Sequence, residues 1–239
     1  MVTDERAGGH QQAGGPGRAP VLGDRSWVAL SLRGLIVVLG LVAEVWNLAE
    51  LGAGGLANHV AYFTVQTNLL VIVVLGWALL VPPRRRPTWF DPLRGAMTTY
   101  IVLTGVLYNL LLAAPGELFS WDVHPSNLLQ HRIIPILVAL DWLLIPVARR
   151  LRLSRFWIWL GYPVAYLAFT LIRGPLVGDW YPYFFLDPNE FGGYGGLLVP
   201  ILGLVVVFAV GAFVVGALGN LRYRTTGQPV SQSGADSSR

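Results

Sequence analysis

The chain has 239 residues, of which 54% are hydrophobic and only 13% are charged. Soluble domains carry about 25% charged residues, so this composition excludes an ordinary soluble domain and indicates an integral membrane protein. Cysteine is absent, which excludes disulfides, a thiol nucleophile and any thiolate metal site.

Long apolar segments predict an all-α, polytopic membrane protein with six transmembrane helices. Each segment has close to the roughly 20 residues that a spanning helix needs, and a helix satisfies its own backbone in lipid. One transmembrane domain is predicted over 26–219. Its helices are placed at 27–50, 59–81, 95–115, 127–147, 156–172 and 196–218. The polar ends, 1–25 and 220–239, are predicted to be disordered cytoplasmic tails.

The arginines predict the orientation of the helices. All 17 basic residues are arginine, a bias typical of a GC-rich bacterial genome. Fourteen of them lie in the two tails and in the second and fourth connections, whereas the other three connections hold only Arg173 and several acids. By the positive-inside rule both termini face the cytoplasm, and we expect a multi-pass protein of the plasma membrane. The net charge of +4 is then a topology signal, not a nucleic-acid surface.

Polar residues recur at one depth near the outer ends of five helices. In chain order they are Glu44, Asn47, Thr64, Asn109, His131, Thr170 and Arg173, and Asn68 shares a helix face with Thr64. At a rise of about 1.5 Å per residue, this level lies roughly 5–10 Å below the outer interface. Polar groups at such depth are costly in lipid and usually face the bundle interior. The pattern therefore predicts a buried polar pocket.

Two further contacts are predicted. Arg33 and Asp141 lie at similar depth in the inner half, which favours an ion pair between them. Pro135 removes the backbone donor that would reach the carbonyl of His131, so this carbonyl is free for a water or a neighbouring donor.

Residue types restrict the chemistry of the pocket. The sequence has no serine-hydrolase elbow, no zinc motif and no glycine-rich phosphate loop, so neither a metal nor another cofactor is implied. A hydroxyl nucleophile with a histidine base remains open. The buried hydroxyl candidates are Thr64, Thr67 and Thr170. His131 is the clearly buried base, and His124 is a second candidate nearer the surface.

Three motifs carry a resemblance to a known family: YFTVQTNLL, HPSNLLQHRIIPILVALDWLL and YPVAYLAFTLIRGPLVGDWYPYFFLDP. Over residues 27–219 the chain resembles the bacterial six-helix membrane family called Pr-six-Pr, which is related to the eukaryotic androgen-induced membrane proteins. Those relatives are threonine hydrolases that cleave fatty acid esters of hydroxy fatty acids. The resemblance implies a catalytic pair at Thr64, after Tyr62, and His131, before Pro135.

The resulting hypothesis is hydrolysis of a membrane lipid or fatty-acyl ester in the outer leaflet. His131 deprotonates Thr64, and Glu44 orients the imidazole as the carboxylate does in a serine triad. Candidate donors to the oxyanion are Asn68, Asn109 and Arg132. Arg173 joins the pocket, and the loop after it has the aromatics of a lid or of an interfacial belt. We expect the side chains of Thr64 and His131 to approach within about 6 Å, because general-base catalysis needs hydrogen-bond reach.

Alternatives stay open for both the nucleophile and the function. Motif spacing differs from that of the eukaryotic relatives by about one residue, and one residue turns a helix by about 100°, so Thr67 is an alternative nucleophile. The alternative function is a proton-coupled transporter, or a membrane protein that binds a lipid or other ligand without catalysis. Its path would use the buried residues Glu44, Arg33, Asp141 and His131. A third class is a structural partner without chemistry.

Overall fold

A computed structural model describes residues 23–52, 55–114, 116–117 and 120–225. Over these residues the chain forms helices and connecting loops, with no β-strand. Six of the helices are long and apolar enough to cross a membrane. They are α1 Trp27–Glu50, α2 Phe63–Leu80, α3 Phe90–Leu112, α4 Pro125–Leu144, α5 Leu153–Leu176 and α6 Tyr194–Thr225. The six predicted spans are confirmed, although several of their ends move.

The start of α2 lies later than predicted. A separate short helix, Leu56–His59, precedes it, and the backbone of Tyr62 is extended before α2 begins at Phe63. Thr64 is therefore the second residue of α2, where the sequence had placed it about a turn deeper. Backbone N–H groups in a first helical turn have no acceptor within the helix, so they need partners from elsewhere.

Two other boundaries of the prediction are wrong. Arg94, assigned to the second connection, lies inside α3 and is buried, because a carboxylate of α4 pairs with it. The last helix continues to Thr225, so 220–225 does not belong to a tail. Asn220 holds this helical end by bonding both the N–H and the carbonyl of Leu151. Residues 1–22 and 226–239 of the predicted tails lie outside the described residues.

Packing divides the core into two clusters. Aliphatic side chains such as Ile36, Val71 and Ile101 fill the first cluster, between α1, α2, α3 and α4. The second cluster is mainly aromatic and joins α2, α3, α4, α5 and α6; its buried members include Phe63 and Tyr100. Many large apolar side chains of α6 are exposed, as expected of a helix that faces lipid.

A π-helical turn lies at the C-terminal end of α3, and another lies in the N-terminal part of α4. The turns span Tyr108–Leu112 in α3 and Leu129–Ile133 in α4. Pro135 explains the second, because its nitrogen cannot donate to the carbonyl of His131. Asn109 donates to that carbonyl instead, at 3.3 Å, which confirms the predicted neighbouring donor. Gly105 permits the approach, since a Cβ there would lie 2.9 Å from the same carbonyl oxygen.

Buried charges tie the helices together at the end of the bundle where α1 begins and α4 ends. The predicted pair is confirmed: Arg33 Nε donates to Asp141 at 2.8 Å. Arg94 donates to the other oxygen of Asp141 at 2.9 Å. Asp24, just before α1, accepts from Arg33 and from Arg86 of the second connection. Each of these guanidinium groups thus has a carboxylate partner, the condition under which buried charges are tolerated.

Candidate functional site

Thr64 and His131 meet at the end of the bundle where α2 begins. Thr64 Oγ1 lies 3.2 Å from His131 Nε2, inside the predicted limit of about 6 Å. Both residues are buried, with 6% and 8% of their surfaces exposed. The first turn of α2 supplies the hydroxyl, and the π-helical turn of α4 supplies the imidazole. The structure thus joins the two residues that were predicted to react, while their catalytic role remains a prediction.

The other ring nitrogen of His131 fixes the direction of this hydrogen bond. His131 Nδ1 lies 3.2 Å from the backbone carbonyl of Asn127. A carbonyl only accepts, so Nδ1 carries the proton and Nε2 of the neutral ring is the acceptor. Tyr108 stacks on the imidazole at 3.8 Å between ring centroids and restrains its tilt. Thr64 therefore donates its hydroxyl proton to a histidine in the tautomer of a general base.

Two tyrosine hydroxyls complete the surroundings of Thr64, and sequence reasoning did not single them out. Tyr183, in the loop between α5 and α6, has its hydroxyl 3.3 Å from Thr64 Oγ1 and 3.2 Å from the backbone nitrogen of Thr64. Tyr166 of α5 accepts from the backbone N–H of Phe63 at 3.2 Å and donates to the carbonyl of Ala61. These hydroxyls are the partners that the first-turn N–H groups of α2 require.

The alternative nucleophile, Thr67, lacks a base. Its hydroxyl donates to the carbonyl of Thr64 at 3.0 Å and lies 3.5 Å from the hydroxyl of Thr104. This is the local back-bonding that threonine commonly makes inside a helix. Asn68 donates to the same carbonyl at 2.9 Å, so its amide group bonds to the backbone of its own helix.

The predicted orienting role of Glu44 is wrong. Its carboxylate binds His59 Nε2 at 3.1 Å and accepts from the amide of Gln130 at 2.7 Å, one residue before His131. Asn47 donates to the same Gln130 side chain at 3.2 Å, so Glu44 and Asn47 do share a face. Because the backbone carbonyl of Asn127 already holds the imidazole, no carboxylate is needed there.

The remaining predicted pocket residues brace the site from outside. Arg132 donates to Asn109 Oδ1 at 3.1 Å and to the backbone carbonyls of Ser120 and Glu117. It therefore holds the loop between α3 and α4, and Asn109 is committed to α3 and α4 carbonyls. Arg173 bonds to Asn58 and to the carbonyl of Ala57, so it fastens the short helix Leu56–His59. None of the three guanidinium or amide groups points at Thr64 Oγ1.

An apolar cavity ends at Thr64. It holds about 90 Å³ of space for water-sized molecules, and about 810 Å³ of empty space when its open mouth is included. The hydroxyl-bearing residues at its head are Thr64, Tyr166 and Tyr183. Its walls are side chains of α3, α5 and α6, among them Leu107, Val164, Leu167, Leu204 and Phe208. The lining suits a hydrocarbon chain whose polar end reaches Thr64.

Neither a metal site nor a similar known protein identifies the function of this site. Among the described residues, no group of three or more histidine and acidic side chains could hold a metal ion. Comparison with family models, curated proteins and solved structures finds no match to this chain. The resemblance to the Pr-six-Pr family therefore remains a prediction from the three motifs.

Proposed function

We propose that this protein is a membrane-embedded hydrolase of lipid esters, with Thr64 as nucleophile and His131 as general base. One observation carries the proposal: the Thr64 hydroxyl donates to His131 Nε2 at 3.2 Å, at the head of an apolar cavity. A nucleophile, a base in hydrogen-bond reach and a group that orients the base are the parts of a hydroxyl hydrolase. The carbonyl of Asn127 is the orienting group.

The proposed reaction has two steps. Thr64 Oγ1 attacks the ester carbonyl as His131 Nε2 takes its proton, and the leaving alcohol then receives that proton from the imidazolium. Water, activated by the same nitrogen, hydrolyses the acyl-threonine and restores both side chains. The acyl chain lies in the cavity between α5 and α6, so a membrane lipid or fatty-acyl ester is the substrate class that the lining favours.

Covalent labelling tests the pair. We expect a fluorophosphonate probe to label the purified wild type and Thr67→Ala, but not Thr64→Ala or His131→Ala. Thr67→Ala is the matched control, because it removes a buried hydroxyl of the same helix that bonds only to oxygen acceptors. Labelling of folded Thr64→Ala at the wild-type rate would overturn the proposal.

The transporter alternative has less support. The buried side chains it would use have partners already: Arg33 and Arg94 pair with Asp141, and Glu44 bonds to His59. Mutually paired charges support a structural role better than a mobile proton. Under the hydrolase proposal, Glu44→Gln keeps the labelling of Thr64. If the protein were instead a transporter with a proton path through Glu44, Glu44→Gln would abolish transport and Thr64→Ala would be tolerated.

We also propose in which membrane the protein lies and how it is oriented there. We place the protein in the plasma membrane of a bacterium with both termini in the cytoplasm, as the arginine distribution favours. The start of α2 then lies at the outer interface, where water can reach an acyl-threonine. The resemblance to the threonine hydrolases of the androgen-induced-protein type agrees with this position.

A further inference from the structure

Tyr183 contacts the atom that would react. Its hydroxyl is 3.3 Å from Thr64 Oγ1, and the residue is buried, with 8% of its surface exposed. Two rings fix it: Tyr62 packs edge-on at 5.7 Å, and Phe185 stacks in parallel at 5.1 Å between centroids. A loop residue held in this way presents its hydroxyl in one position, as preorganised catalytic groups must.

The hydrogen-bond directions around Thr64 follow one from another. Asn127 obliges His131 to donate through Nδ1, so Nε2 accepts the proton of Thr64. Having donated its proton, Thr64 Oγ1 can only accept from the Tyr183 hydroxyl. The oxygen of Tyr183 accepts in turn from the backbone N–H of Thr64, at 3.2 Å.

We propose that Tyr183 is a further catalytic residue, whose hydroxyl donates a hydrogen bond to the oxyanion formed when Thr64 attacks an ester. This inference rests on the proposed hydrolase function. As the bond from Oγ1 to the carbonyl carbon forms, Oγ1 becomes a weak ester-type acceptor. The electrons of the carbonyl double bond move to its oxygen, which becomes the strong acceptor beside Tyr183.

The steps balance without another reactant. The Thr64 proton goes to His131, and the Tyr183 proton is shared with the oxyanion but stays on the phenol. When the carbonyl reforms, the bond to the alcohol breaks and the alcohol leaves with the proton of His131. Burial raises the pKa of Tyr183 to about 12, although its hydrogen bonds with the side chain and backbone of Thr64 lower it, so the phenol keeps its proton at neutral pH.

Tyr166 provides a matched control. It lies at the head of the same cavity and caps the neighbouring N–H, that of Phe63, but its hydroxyl donates to the carbonyl of Ala61. Phenylalanine at either position keeps the aromatic ring and removes the hydroxyl that accepts a hydrogen bond from a first-turn N–H of α2. The two variants therefore differ mainly in whether the lost hydroxyl faces Thr64 Oγ1.

The experiment compares hydrolysis of a p-nitrophenyl acyl ester with that of its thionoester, in which sulfur replaces the carbonyl oxygen. Sulfur accepts hydrogen bonds weakly, so a lost oxyanion donor matters less for the thionoester. We expect Tyr183→Phe to lower kcat for the ester about 100-fold or more, with a much smaller loss for the thionoester and little change in KM. Tyr166→Phe should change both substrates by one common, smaller factor.

Each other outcome is decisive. Equal losses on ester and thionoester in Tyr183→Phe would make Tyr183 a positioning residue and overturn the inference, as would an unchanged kcat. The proposed function would be overturned instead if Thr64→Val still hydrolysed the ester, or if the folded wild type did not. Neither of these two results depends on the Tyr183 variant. Melting temperatures of all variants confirm that the compared proteins are folded.

Discussion

Thr64 combines two properties that a threonine in the middle of a helix lacks. As the second residue of α2 it exposes a backbone N–H without an intrahelical acceptor, and its hydroxyl is turned toward another helix rather than toward its own backbone. Thr67, one turn deeper, shows the contrast, because its hydroxyl returns to the carbonyl of Thr64. Position in the first turn thus frees both the hydroxyl and the amide of Thr64 for chemistry.

The first prediction concerns the hydroxyl of Thr64. We expect Thr64→Ser to retain part of the ester hydrolysis and the fluorophosphonate labelling, since it keeps the oxygen and loses only a methyl group. Thr64→Val keeps the shape, removes the oxygen and should lower kcat by about 1,000-fold or more. Initial rates of hydrolysis measure both variants. Wild-type rates in Thr64→Val would show that another group attacks.

At this scale the sequence predicted the contact between Thr64 and His131 but not the other partners of these residues. Depth and the family resemblance both select Thr64 and His131, because a buried polar side chain is costly and therefore informative. Glu44 was misassigned because residues at equal depth need not be neighbours; it binds Gln130, one residue before His131. Tyr183 was missed because it lies in a loop rich in aromatics, where single-sequence patterns do not give a depth.

The π-helical turns of α3 and α4 decide where the site residues point. Such turns are rare and often occur at functional sites. The turn Leu129–Ile133 carries His131 toward Thr64, while Tyr108, at the start of the turn in α3, stacks on the imidazole. A sequence signal existed for α4 alone, in Pro135, and it predicted a free carbonyl rather than a π-helical turn. In the same way, the lengths of the apolar segments predicted six long helices. They did not predict where the helices end, because helix capping and buried ion pairs determine those ends.

The second prediction tests the turn in α4. Pro135→Ala restores an N–H that can bond the His131 carbonyl in competition with Asn109. We expect α4 to become more regular, which rotates His131 away from Thr64, so that labelling falls at least about tenfold while the melting temperature is kept. Pro200→Ala, within α6, is the matched control and should leave labelling unchanged. Equal labelling of Pro135→Ala and wild type would show that the turn does not depend on the proline.

At the scale of the whole molecule, the buried ion network joins five parts of the chain at the end of the bundle that lies away from Thr64. Asp141 of α4 holds α1 and α3 through Arg33 and Arg94. Asp24 adds the segment before α1 and, through Arg86, the connection between α2 and α3. The site therefore lies at the opposite end of the bundle from the contacts that fix the helices to one another.

The third prediction is a pH dependence of stability from Asp24. Burial acts to raise its pKa, but the hydrogen bonds and charges of Arg86 and Arg33 outweigh it and lower the pKa to about 2. A lowered pKa means that the carboxylate stabilises the fold above its ordinary pKa, near 4, and that this contribution is lost as pH falls toward 2. The contribution is about 1–2 kcal/mol after allowance for solvent screening.

Asp24→Asn measures this contribution. We expect the variant to melt at a lower temperature than wild type at pH 7, with a difference that shrinks between pH 4 and pH 2. Asp122→Asn, at an exposed loop acid, should melt with wild type throughout. A constant difference down to pH 2 would contradict the assignment of the effect to the Asp24 carboxylate.

The last prediction concerns the orientation of the molecule, on which access of water to Thr64 depends. Because the chain has no cysteine, single-cysteine variants report one position each. Ser154→Cys lies in the arginine-rich segment that begins α5, and Glu190→Cys in the exposed loop before α6. With both termini in the cytoplasm, a membrane-impermeant maleimide should label Glu190→Cys on intact cells and Ser154→Cys only after permeabilisation. The cysteine-free wild type is the blank. Labelling of Ser154→Cys on intact cells would invert the topology and place the Thr64 site on the cytoplasmic side.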